Sequence, residues 1–117
     1  MSLEYILSLW NFNDPIESES RFRIAVEEAR SADNREFLLE LLTQVARSQG
    51  LQRKFEDAHL TLDSVRAEMS GAESRPAIRY HLERGRVFNS SKDTSQAIPE
   101  FIKSLELAAA SKEEYLA

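Results

Sequence analysis

Apolar residues recur along this chain at intervals of three and four, and short polar breaks divide them into runs of helical length. Asp14-Pro15 opens the first clear run. The carboxylate can accept from free N–H groups at the N-cap, and proline suits the first helical position. Ile16, Phe22, Val26 and Ala29 follow at helical spacing and predict a helix over 14–31. Asp33 is placed to cap a second helix, 34–48, with Phe37, Leu38, Leu41, Leu42 and Val45 as a broad apolar stripe and Ser48-Gln49-Gly50 as its end. A third helix, 54–69, carries Phe55, Ala58, Leu62 and Val65 on one face. Residues 70–74 are a small, polar connector, from which Ser74 can cap a fourth helix, 75–90, with Pro76 in its first turn. Asp93 caps a fifth, 94–110, bearing Ala97, Phe101, Leu105 and Ala108. Ser111-Lys112-Glu113-Glu114 has the form of a capping box and starts a further helix at 112. Residues 2–10 form a short extra helix or lie across one end of the array. Trp10 and Phe12 there either cover a core edge or contact another protein.

Composition supports the helical reading. Only three glycines and three prolines interrupt 117 residues, so most of the chain carries no breaker. The length suits one domain spanning 1–117. The absence of cysteine removes disulfides, thiolate metal sites and cysteine nucleophiles. No signal-peptide pattern and no membrane-length apolar run is present, so the expected setting is cytoplasmic, without a membrane partner. A net charge of −5 argues against general nucleic-acid binding. Yet residues 75–92 hold five cations, Arg75, Arg79, Arg84, Arg86 and Lys92, against the single acid Glu83. A basic helix packed beside acidic neighbours, or a ligand site, would account for that bias.

The helices also repeat. Ala58 and Ala97 stand 39 residues apart, and twelve residues before each lie Ala46 and Gly85, both small. Ser18 takes the same position 40 residues before Ala58. Closely crossing helices need small residues where they touch, and glycine inside a helix costs about 1 kcal/mol relative to alanine. Gly85 therefore reads as a contact point. Gly85-x2-Phe88 with Ala97-x3-Phe101 resembles the tetratricopeptide repeat, a helix–turn–helix unit with a G-x2-Y…A-x3-F pattern. Ala46-x2-Gln49 with Ala58-x3-Leu62 is a weaker copy, and Ser18-x3-Phe22 the second helix of an incomplete one. His81 and Arg84 stand where the family has tryptophan and leucine, the closing proline is absent, and the period is longer by about five residues. The resemblance implies stacked antiparallel helix pairs, an all-α solenoid, with Ala46, Ala58, Gly85, Phe88, Ala97 and Phe101 as packing positions.

The same resemblance implies a protein-binding groove lined by the first helix of each pair. On those helices Arg79, Leu82, Arg86 and Asn89 or Ser90 form one stripe, and Thr43, Arg47 and Leu51 form its match. Arg47 and Arg86 occupy equivalent positions and could clasp a carboxylate with paired, charge-assisted hydrogen bonds. The expected partner is a protein or peptide segment, an acidic one where the two arginines clasp a carboxylate. Alternatives are self-assembly through end helices, where Phe101, Ile102 and Leu105 are apolar, a fragment of a larger regulatory protein, or a small-ligand sensor. Catalysis is not expected. Glu56-Asp57-Ala58-His59 is a lone E-x-x-H, whereas di-iron bundles need two such motifs and two further glutamates. His81 lacks an evident nucleophile and orienting acid. Gly50, Gly71 and Gly85 are too isolated to cradle a phosphate, and no cofactor or metal is expected.

Overall fold

The structure, a computed structural model, describes residues 3–71 and 74–111. Six helices run in order: α1 Leu3–Leu9, α2 Pro15–Ser31, α3 Arg35–Leu51, α4 Phe55–Glu68, α5 Ser74–Ser90 and α6 Thr94–Ser111. No strand occurs among the described residues. The helix expected from 112 lies outside them.

Three of the connections are the same turn. Asp33, Arg53 and Lys92 adopt left-handed backbone, with φ of 55°, 63° and 68°. Each is followed by the N-cap residue of the next helix. Asn34, Lys54 and Asp93 donate their N–H back to the carbonyls of Ala29, Gln49 and Phe88 at 3.0, 2.9 and 2.8 Å. Asp33, Arg53 and Lys92 donate to Arg30, Gly50 and Asn89, which completes a Schellman closure at all three sites.

This turn corrects two boundaries. Gly50 does not end α3, which runs on to Leu51 because Arg53 supplies the left-handed residue. Asp33 does not cap α3, because its own backbone closes α2. Asn34 caps instead, its side chain accepting from the Phe37 N–H. Asp14 and Asp93 do accept in this way, from the N–H groups of Glu17 and Gln96. Ser74 is already helical rather than preceding α5.

α3 is the centre of the molecule. It packs on α2, α4 and α5, while α5 packs on α6. Its Phe37, Leu38, Leu39, Leu41, Val45 and Ala46 are buried, together with Phe22, Ala25, Val26 and Ala29 of α2 and Ala58, Leu62 and Val65 of α4. Ile16 and Leu105, assigned to inward faces by spacing alone, are instead 70% and 58% exposed. α1 packs on α2; its Ile6 and the following Trp10 are buried, and Tyr5 reaches Phe37 of α3, with ring centroids 6.1 Å apart.

The small residues sit at the tightest places. Ser18, Ala46, Ala58 and Ala97 are all buried, and so is Gly85, beside the Phe101 ring. Nearby, the Ser104 hydroxyl of α6 donates across to the Ile78 carbonyl of α5 at 2.9 Å. A hydroxyl can reach a helix backbone only when the two helices are very close.

Candidate functional site

The interface between α3 and α5 is polar where a helical core is usually apolar. Glu40, almost wholly buried, accepts from Arg79 Nε at 2.6 Å and Arg75 Nη2 at 3.2 Å. One turn on, Gln44 Nε2 donates to Glu83 Oε2 at 3.3 Å. Both the Glu40–Arg79 and Gln44–Glu83 pairs span 39 residues, so equivalent positions of two successive hairpins face each other. The two helices are therefore parallel neighbours, and their inner faces form a ladder of paired polar side chains.

Much of the basic bias of residues 75–92 is absorbed this way. Arg75 and Arg79 meet Glu40, Arg86 meets Glu83 at 2.8 Å, and Arg84 reaches Asp63 of α4 and Glu100 of α6 at 3.6 and 3.5 Å. Four neighbouring acids thus face four of the five cations.

The ladder opens at its C-terminal end into a cleft of ≈ 150 Å³ lined by Arg47, Gly50, Leu51, Arg86, Val87, Asn89 and Ser90. Glu83, fully buried beside it, holds Arg86 and lies near Arg47. Its Oε2 accepts from Arg86, while its Oε1 stands 4.0 Å from Arg47 Nε and has no hydrogen-bond partner among the described residues. Burial pulls the Arg47 guanidinium below its ordinary value; Glu83 opposes this, and Arg86 and Arg79 add to it.

Arg47 is also held from the N-terminal side. Its guanidinium carbon lies 5.0 Å from the centroids of both Trp10 and Phe12, within the range of a cation–π contact. The two rings stack at 4.7 Å and 5°. Trp10 Nε1 donates to Gln44 Oε1 at 3.0 Å, which ties the aromatic pair to the same ladder. Trp10 covers the core, and Phe12 remains 54% exposed.

The structure thus brings Arg47, Leu51, Arg86, Asn89 and Ser90 to one cleft and leaves three other sequence candidates out of it. Thr43 is fully buried, its hydroxyl donating to the Glu40 carbonyl. Arg79 is 5% exposed and committed to Glu40. Neither has surface to offer a partner. Leu82 is half-buried and does not line the cleft. The continuous stripe on α5 is Arg79, Glu83, Arg86 and Ser90, because successive steps of four, three and four follow the helix better than a step of three to Leu82. Sequence reading missed Glu83, Glu40 and Gln44. The available signal was position: Glu83 lies four residues after Arg79 and three before Arg86, and Gln44 lies at the equivalent place on α3.

A larger depression, ≈ 1040 Å³, lies along the outer face of α2 beside the loop after α3, with Ile16, Ile24, Gln52 and Lys54 in its wall. Its carboxylate Glu19 already accepts from Arg23 and Gln52 at 2.8 Å each. Burial works against the Glu19 charge, but those hydrogen bonds outweigh it and leave the carboxyl below its ordinary value. Glu27, Glu28, Arg23 and Lys54 line the same groove, so charges of both signs border its apolar wall.

Compared with family models, curated proteins and solved structures, the chain matches none. Its chemistry must be read from its own side chains.

His59 of the E-x-x-H packs its ring against Phe88 at 4.7 Å. Burial holds its pKa below the ordinary histidine value, helped by Arg84 and opposed by Asp63. Among the described residues no three His, Asp or Glu side chains cluster so as to hold a metal ion. His81 Nδ1 lies 2.7 Å from Glu100 Oε2, which bridges α5 to α6. Among the described residues no helix is long and apolar enough to cross a membrane.

Proposed function

We propose that the chain is a tetratricopeptide-like interaction module that takes an acidic protein segment in the cleft between Arg47 and Arg86. The observation that carries this reading is the convergence of two half-exposed guanidiniums from equivalent helix positions on one buried carboxylate. Two cations against one anion leave the cleft mouth positive in a protein whose net charge is −5. A carboxylate entering there meets donors already positioned, Arg86 by Glu83 and Arg47 by the aromatic pair, so little side-chain freedom is lost on binding. A space of ≈ 150 Å³ suits one side-chain head group, less than the roughly 300–1,000 Å³ of pockets that enclose a drug-sized ligand. The family-like arrangement draws support from the parallel pairing of α3 and α5 and from the burial of Ser18, Ala46, Ala58 and Ala97. In this arrangement α1 and α2 form a short first pair, with Ile6 and Leu9 twelve and nine residues before Ser18.

The test is quantitative binding of a glutamate-rich peptide to the protein and to the double variant Arg47→Gln/Arg86→Gln. Glutamine offers Glu83 a donor but not a cation, so some stability is lost; in a double variant that circular dichroism shows to be folded, affinity falls at least about tenfold, as for loss of charge-assisted contacts. Unchanged affinity in a folded double variant would remove the cleft from the account.

A second reading, self-assembly, is favoured by a separate observation. Ile98, Ile102 and Leu105 are 52%, 50% and 58% exposed at successive helical steps along α6. An apolar stripe of this kind is the face a further helix would cover. On this reading sedimentation velocity detects an oligomer at micromolar concentration, and Ile102→Glu dissolves it. A monomer throughout that range would rule the reading out.

A further inference from the structure

We infer that the docking surface continues from the arginine cleft onto the Phe12 ring, so that the acidic segment it takes carries an apolar or aromatic residue two positions from its acid. This rests on the acidic-segment reading above and narrows it.

An exposed phenylalanine is commonplace; a built one is not. Phe12 lies face to face on Trp10, which is buried and fixed at both its edges. Its Nε1 is bonded to Gln44, and its ring meets Phe22 in a T-shaped contact with centroids 4.9 Å apart. The outer ring is therefore a flat apolar face backed by the core.

Arg47 joins this face to the cleft. The guanidinium that lines the cleft beside Arg86 also stands 5.0 Å from the Phe12 centroid. Cation and ring are parts of one surface. An extended segment places side chains two residues apart on the same side, about 6.6–6.8 Å from each other. That spacing sets a carboxylate against Arg47 and Arg86 while the next side chain on that side covers Phe12. The positive excess over Glu83 selects the acid, and the half-exposed ring selects its apolar neighbour.

The experiment uses three fluorescein-labelled octapeptides titrated into the full chain by anisotropy. One carries a glutamate pair with phenylalanine two positions away, the second has serine in place of that phenylalanine, and the third has glutamines in place of the glutamates. Each of the first two is made in two forms, with the aromatic position before or after the acids, which covers both directions of the segment. The expected result is that a phenylalanine peptide binds about fivefold tighter than its serine counterpart, the scale of one aromatic contact. Phe12→Ala abolishes this preference and weakens, without removing, selection against glutamine, because Trp10 still flanks Arg47; Phe12→Tyr retains both. Equal binding of the phenylalanine and serine peptides by the wild-type protein overturns the inference and leaves the acidic reading in place. Failure of the acidic peptides to outbind the glutamine control overturns both. If Phe12→Ala instead dissolves an oligomer seen in the same sample by sedimentation, the ring belongs to contacts between copies and the inference falls.

Discussion

Replacing Gly85 with leucine is expected to cost the fold about 3 kcal/mol or more, the upper range for overpacking a close contact. A Cβ built on Gly85 would stand 2.7 Å from both Cδ1 and Cε1 of Phe101 and 3.1 Å from its Cζ. The ring would have to leave its site even for a methyl group, and leucine adds three more carbons in the same direction. Two opposing effects meet in Gly85→Ala. Alanine gains about 1 kcal/mol as a helix former, and the displaced ring loses contact with α5. Phe101 is only half-buried and can lean outward, so a net loss of about 1 kcal/mol is expected for alanine. The decisive comparison is a double-mutant cycle. With Phe101→Ala already in place the obstruction is gone, and Gly85→Ala should become stabilising by up to about 1 kcal/mol. Gly50 provides the contrast. Its added Cβ would lie 3.4 Å from Val87 Cγ2, an ordinary contact, so Gly50→Ala is expected to be neutral or mildly stabilising. Urea midpoints of the five variants, the Phe101→Ala background included, measure this. A wild-type midpoint for Gly85→Leu would mean that α5 and α6 do not meet at this residue.

The sequence made the helices legible because each is a long run with few breakers, and apolar spacing survives ambiguity over single residues. The small residues were legible for a different reason: they stand at matched places in the repeat. The turns were not. Left-handed backbone normally advertises itself as glycine, and here Asp33, Arg53 and Lys92 occupy it. Gly50 accordingly looked like a terminus, and Asp33 like a cap. Nor does periodicity reveal how far a face is covered, since that depends on which helix lies opposite. Ile16 and Leu105 have helical spacing but no neighbour that buries them. The cleft was half legible. Equivalence of Arg47 and Arg86 follows from the repeat, but the ladder that holds them does not. Glu40, Gln44 and Glu83 are polar residues on the inner faces of α3 and α5, where an apolar-stripe reading assigns them to solvent.

That ladder carries the other large effect. Glu40→Ala is expected to destabilise the protein by about 3–5 kcal/mol, the usual cost of stranding one member of a buried ion pair. Glu40 and Arg79 are 2% and 5% exposed, so the guanidinium left behind cannot regain water without parting α3 from α5. For a domain whose total stability is about 5–15 kcal/mol, such a loss leaves a substantial unfolded fraction on modest warming. Glu40→Gln should fall between, since it keeps the shape and one acceptor oxygen but loses the charge. Removing both partners together, as Glu40→Leu/Arg79→Met, should recover most of the loss, because well-packed apolar side chains often match a buried pair in stability. Stability alone therefore gives little reason to keep the pair, and register gives a better one. Glu40 meets Arg79, and Gln44 meets Glu83, at the same offset of 39 residues. A slip of α5 by one turn would set the buried Glu83 opposite Glu40, carboxylate against carboxylate. The correct register is the one that also brings Arg47 and Arg86 to a common cleft. On this argument the Leu/Met variant keeps its urea midpoint near wild type but binds the glutamate-rich peptide more weakly. If Glu40→Ala unfolds within about 1 kcal/mol of wild type, the pair is not buried as described, and the register argument fails with it.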